Sequence, residues 1–158
     1  MGINADQLGE QVVRPTLELC GNFSPAALQL LVGTAAAESE LGDQLCDDHG
    51  GLGLYRISAE VHQRVWDDYL VHFPDQASLV RGMASQRQFL CNPHQELIYN
   101  LAYATAIAWF NYLRCGANLD GVDARDTNTL ANIWWHYYHP TNPDGNLFLT
   151  RCPHMQAA

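Results

Sequence analysis

Leu97-Ile98-Tyr99-Asn100-Leu101-Ala102-Tyr103-Ala104-Thr105-Ala106-Ile107-Ala108-Trp109-Phe110-Asn111-Tyr112-Leu113 is the stretch on which the fold turns. Ile98, Leu101, Ala104, Ile107, Ala108, Trp109 and Phe110 spread apolar side chains around most of a helical circumference, so the segment predicts a helix at the centre of a bundle. Upstream of it, Asn92-Pro93 sets a capping side chain before a proline at the first helical position, and Gly116 marks the stop. Ser24-Pro25 opens a second helix in the same way, with Gly42 at its end. Between these, Ser58 can cap a segment running to about His72 that Pro74 closes, and Asp75 one running to about Leu90. Asp126 or Thr127 can open a last helix that Pro140 closes. The exception is Cys46-Asp47-Asp48-His49-Gly50-Gly51-Leu52-Gly53, whose glycines suit tight turns. The expectation is one mainly α domain over residues 1–158, with a central buried helix and a small hairpin or turn-rich lobe near residues 43–57.

Composition narrows the function classes. The chain has 158 residues, 47% of them apolar and only 16% charged, which is enough core material for one self-sufficient domain. Seventeen acidic residues face eight basic ones, all arginine and all scattered, for a net charge of −9. Nucleic-acid binding needs clustered cations and is not expected. No apolar run approaches the ~20 residues of a bilayer span, so no membrane partner is expected. Met1 to Asp6 has neither a positive start nor an apolar core, so it does not read as a secretory signal. The five cysteines, at 20, 46, 91, 115 and 152, form no disulfide pattern and read as reduced thiols. Cys46-x-x-His49, Cys91-x-x-His94 and Cys152-x-His154 suggest zinc, yet none is followed by a second pair at zinc-finger spacing, so no metal site is expected.

On the predicted helix from Pro25, residues Leu28, Leu31, Val32 and Ala35 line one face, and Glu38 falls at its edge, three residues after Ala35. Its neighbour Glu40 points to solvent. A carboxyl at the end of an apolar stripe is partly desolvated, which favours its protonated form and suits it to act as a general acid. Glu38 is therefore the candidate catalyst.

Thr34-Ala35-Ala36-Ala37-Glu38-Ser39-Glu40-Leu41-Gly42, followed after a glycine-rich gap by Gly51-Leu52-Gly53-Leu54-Tyr55-Arg56-Ile57-Ser58, resembles the catalytic core of the soluble lytic transglycosylase family of the lysozyme-like superfamily. The likeness is closest to small phage-encoded members and extends to Arg14–Leu17, Ser24–Ala27, Asn100–Ala106 and the aromatic run Trp134–Tyr138. It implies a lysozyme-like helical fold and cleavage of the bond between N-acetylmuramic acid and N-acetylglucosamine in peptidoglycan, without metal or cofactor. Glu38 would be the acid/base, Ser39 and Tyr138 its support, and Leu54, Tyr55, Arg56, Trp135 and His139 the substrate contacts. One carboxyl suffices in that chemistry, because it protonates the glycosidic oxygen and then takes a proton from the sugar's own hydroxymethyl group. This departs from the two-carboxylate scheme of most glycosidases. The hydrolytic alternative would use Asp47 or Asp48 as a second carboxylate that positions water.

Two departures from the family pattern support a different reading. Arg56 stands where the family has Gln, and a cation near Glu38 would weaken it as an acid unless Arg56 points elsewhere or pairs with Asp47 or Asp48. The family's Tyr-Asn-Ala-Gly element is replaced by Tyr137-Tyr138-His139-Pro140. The alternative is a virion structural or assembly protein on a lysozyme-like fold whose site has decayed. The expected setting is a phage virion, with tail proteins as further partners, or release from the host cytoplasm, acting on the wall in the periplasm. A charge of −9 would repel a freely diffusing protein from an anionic wall, which favours delivery on a larger particle.

Overall fold

A computed structural model of the chain describes residues 2–153, in which nine helices follow one another. Helix α1, residues 5–19, runs through Ala5–Leu8, a wider π-helical turn at Gly9–Val13, and Arg14–Leu19. The wide turn ends two residues before Pro15, which has no N–H to offer the helical ladder. Helix α2 is Pro25–Ser39, with the Ser24 hydroxyl accepting from the Ala27 N–H at 3.0 Å. Helix α3, residues 59–72, contains Ala59–Arg64 and a π turn at Val65–Tyr69. The Ser58 hydroxyl caps it on the Val61 N–H at 3.2 Å.

The expected helix from Asp75 to about Leu90 is two helices, α4 at Pro74–Met83 and α5 at Gln86–Cys91. They part at Ser85, whose N–H donates at 2.9 Å to the buried Glu96 carboxylate. The helix expected from Pro93 to Gly116 is also two, α6 at residues 93–99 and α7 at Leu101–Arg114. Asn100 makes the break. Its backbone is extended, its Oδ1 accepts from the Tyr103 N–H at 3.1 Å, and its Nδ2 donates to Glu96 and to the Met83 carbonyl, each at 2.8 Å. One short polar side chain thus restarts the helix and gathers three segments. Helix α8 covers residues 127–138, capped by Asp126 on the Thr129 N–H at 3.2 Å, and α9 is Leu147–Arg151.

Helix α7 is buried continuously from Tyr103 to Tyr112, as its circumference predicts. Helix α2 differs from expectation, because it is buried on nearly all sides and not along one stripe. Its small residues explain this. A Cβ at Gly33 would lie 2.2 Å from the Phe148 ring, so only glycine lets α9 close over α2 there. The two central helices are tied by a hydrogen bond of 2.7 Å between Thr34 Oγ1 and Tyr112 Oη. The lobe over residues 43–57 holds two isolated antiparallel bridges, Cys46 with Leu52 and Leu52 with Ile57, and there is no longer strand among the described residues. Among the described residues no helix is long and apolar enough to cross a membrane.

Candidate active site

The last turn of α2, the C-terminal end of α8 and the turn lobe converge on Glu38. Its side chain is only 6% exposed. Oε1 accepts a hydrogen bond from Trp134 Nε1 at 3.2 Å and lies 2.7 Å from His139 Nδ1. Oε2 has no hydrogen-bond partner among the described residues, so one oxygen is fixed by the protein while the other keeps its acceptor capacity. Glu38 borders a cavity of about 250 Å³ whose wall includes Asp47, Arg56, Asn111, Tyr138 and His139. A second, more polar cavity of about 260 Å³ also reaches Glu38, between the end of α2, the turn lobe and Arg151. A larger groove of about 810 Å³, walled by residues 22–26 and 117–125 with Trp109 and Leu113, contains none of the candidate site residues.

Local sequence explains how the carboxylate is held. Helix α2 ends at Ser39, three residues before the expected Gly42, and the chain leaves it through left-handed residues Glu40, Leu41 and Gly42, with φ of 51°, 60° and 83°. Ser39, buried, supports this exit: its hydroxyl donates to the Leu54 carbonyl at 2.7 Å and accepts from the Gly42 N–H at 2.9 Å. Tyr138 does the same from the other side, donating to the Tyr55 carbonyl at 2.7 Å while its ring stacks on Tyr112 at 4.9 Å. Burial, reinforced by the nearby Glu38 charge, pushes the Tyr138 phenol well above its ordinary range and keeps it a donor. The Glu38 carboxylate raises His139 above the ordinary imidazole range through their hydrogen bond, more than burial lowers it, with a smaller push from Asp47.

The structure divides the expected substrate contacts. His139 and Arg56 border the Glu38 cavity. Leu54 and Tyr55 do not: Leu54 is 4% exposed, and Tyr55 is fully buried with its hydroxyl 2.8 Å from Thr105 Oγ1. Their side chains face the core, and their backbone carbonyls serve the site by receiving Ser39 and Tyr138. Trp135 also lies outside the cavity; it is exposed, covers Gly145, and donates to the Asn142 carbonyl at 3.3 Å.

Arg56 adopts a left-handed backbone, φ 51°, and directs its guanidinium to the carbonyls of Gly53 and Gln44. It therefore braces the lobe instead of pairing with Asp47, Asp48 or Glu38. Asp47 borders the cavity, but its Oδ1 is spent on the N–H groups of His49 and Gly51, at 2.8 and 2.7 Å. Asp48 is exposed on the turn and does not border the cavity.

The sequence reading missed Trp134 and Asn111. Trp134 follows Leu130 by four residues, and that spacing on the buried face of α8 distinguishes it from Trp135. Asn111 is the polar residue of the buried run of α7 that borders the cavity, and its Oδ1 accepts from the Arg114 guanidinium at 3.2 and 2.9 Å. No group of three or more His, Cys, Asp or Glu side chains gathers as a metal site among the described residues, and His154 lies outside them. No protein-family model, no curated protein and no solved structure matches this chain.

Proposed function

We propose that this protein is a peptidoglycan-cleaving muramidase of the lytic transglycosylase type, with Glu38 as its acid and base. The observation that carries the reading is a single carboxylate, 6% exposed, held by Trp134 at 3.2 Å with its other oxygen uncommitted, at the wall of a cavity of about 250 Å³. A carboxyl positioned in this way can give a proton to a glycosidic oxygen and take one back, which is what one-carboxylate cleavage requires. The muramyl C6 hydroxyl then attacks C1, closing an anhydro ring without an external water.

Asp47 holds its own turn through Oδ1, and hydrolysis with Asp47 as a second carboxylate is told apart by its products, which would carry reducing ends in place of anhydro rings. Arg56 is compatible with an active Glu38, since its guanidinium is bonded to two backbone carbonyls. The lysozyme-like fold and delivery on a phage particle belong to the same proposal, the latter supported by the net charge of −9.

The test is loss of turbidity of purified sacculi with wild type and Glu38→Gln, which preserves the size of the side chain and its hydrogen bonds to Trp134 and His139. Clearing by wild type alone supports the proposal. No clearing by either protein overturns it in favour of a structural role in the virion, and equal clearing by both overturns Glu38 as the acid.

A further inference from the structure

The Glu38 carboxylate meets an imidazole at 2.7 Å, which one-carboxylate chemistry does not require. His139 sits just past the end of α8, in an irregular backbone conformation before Pro140, and its side chain is 36% exposed. The Trp134 indole, on the same turn, donates to the same Oε1 that faces His139. A carboxylate oxygen held by the indole N–H is left facing His139 Nδ1. At 2.7 Å that contact needs one proton between the two atoms, because two lone pairs would repel and two protons would collide.

We propose that Glu38 and His139 form one proton-sharing pair, in which His139 is the positioning residue that retains the site's proton at a pH where an isolated carboxyl has lost it. This rests on the muramidase reading. In the resting site Nδ1–H fills the 2.7 Å contact, and the pair's transferable proton lies on Nε2 of His139 or on Oε2 of Glu38. During cleavage Oε2 passes that proton to the glycosidic oxygen as the C1–O bond breaks, and the bonding electrons leave on that oxygen. His139 is then neutral, still donating Nδ1–H to Oε1, and Glu38 is a carboxylate. The muramyl C6 oxygen bonds to C1 and its proton returns to the pair, so nothing is oxidised or reduced and the site is restored.

The charged neighbours come from three elements. Asp47, His49 and Arg56 of the turn lobe share the cavity with the pair, and Glu40, Asp43 and Arg151 line the cavity on the other side of Glu38. Arg151 is engaged with Glu40 at 3.0 Å and with the Ala37 carbonyl at 2.9 Å. Arg56 is engaged with the Gly53 and Gln44 carbonyls. Glu38 is thus the carboxylate in hydrogen-bond contact with His139, and Asp47 adds a weaker pull of the same sign.

The experiment has two arms. Histidine ring resonances are followed by NMR across pH in wild type, Glu38→Gln and His139→Gln, the last assigning the His139 signal by its loss. The pair predicts a His139 midpoint above 6.5 in wild type that falls by about one unit or more in Glu38→Gln. A midpoint unchanged by Glu38→Gln overturns the pairing.

The second arm compares pH–rate profiles on sacculi. His139→Gln should move the alkaline limb about one unit toward acid, losing about tenfold in rate near pH 7.5 and about threefold or less near pH 5. A profile of unchanged shape, scaled down at every pH, overturns the proposal, since a purely structural role would lower the rate without moving the limb. Thermal melts of both variants confirm that each is folded. Absence of cleavage by wild type counts against the muramidase reading, and the NMR arm then decides the pairing alone.

Discussion

Replacing Gly53 and Gly50 separately by alanine separates two physical costs that both act on the turn lobe. Both glycines are left-handed, with φ of 71° and 87°. In either position alanine incurs the left-handed penalty of about 1 kcal/mol. Their surroundings differ. A Cβ at Gly50 meets nothing within 4 Å, whereas one at Gly53 falls 1.7 Å from the Leu97 carbonyl oxygen and 2.7 Å from its carbon. Ordinary contact begins near 3.4 Å, so the lobe must withdraw from the α6–α7 junction by more than an ångström.

That withdrawal pulls on the adjacent Leu54 and Tyr55 carbonyls, which receive Ser39 and Tyr138 at 2.7 Å. Each such bond is worth about 1 kcal/mol, and more where a buried partner is left unpaired. Gly50→Ala should therefore cost about 1 kcal/mol and Gly53→Ala about 3–5 kcal/mol. For a domain of this size these correspond to falls in Tm of about 2–4 °C and about 8–15 °C. Urea melts with matched thermal scans measure both. Equal losses from the two substitutions would refute the argument that close approach to Leu97 fixes the lobe.

His62, 1% exposed, shares Nδ1 with His94 at 2.9 Å and Nε2 with the Tyr103 hydroxyl at 2.7 Å, and burial, then the His94 charge, lowers it to about 4. The unfolded imidazole binds a proton below about 6.5 that the folded one refuses, so stability should fall by about 3 kcal/mol as pH drops from about 6.5 to 4. His62→Gln should flatten that slope in urea melts, and an identical slope would contradict it. Ser39→Ala leaves the Leu54 carbonyl without its donor and the Gly42 N–H with only the Ser39 carbonyl, and should cost about 2 kcal/mol in the same assay. Trp134→Phe removes the indole bond to Glu38 and should lower the rate on sacculi by about tenfold or more, whereas Trp135→Phe should leave it within about twofold; the reverse order would count against the assignment.

What the sequence made legible is the part governed by local chemistry. Ser24, Ser58 and Asp126 cap helices where their side chains predict, because a short oxygen acceptor beside the first turn acts within three residues. The even apolar circumference of Leu101–Leu113 announces its buried position for the same reason. The break at Ser85 was not legible because it depends on Glu96, eleven residues on, and the break at Asn100 because one apolar pattern runs on through the asparagine that caps the second helix. At the site, the edge position of Glu38 follows from helical spacing, and its surroundings depend on which of four neighbouring aromatics turns inward. Trp135 was expected as a substrate contact, and packing of α8 against α2 turns its neighbour Trp134 inward to Glu38. Leu54 and Tyr55 show a related limit. A motif can matter through its carbonyls while its side chains belong to the core.

The most direct test of the central claim is the mass of the muropeptides released from purified sacculi by wild type and by Glu38→Gln. The account predicts that wild type releases products ending in a 1,6-anhydro muramyl ring, each lighter by one water than its reducing counterpart, and that Glu38→Gln releases none. Soluble muropeptides from Glu38→Gln at the wild-type rate, or none from either protein, would contradict it.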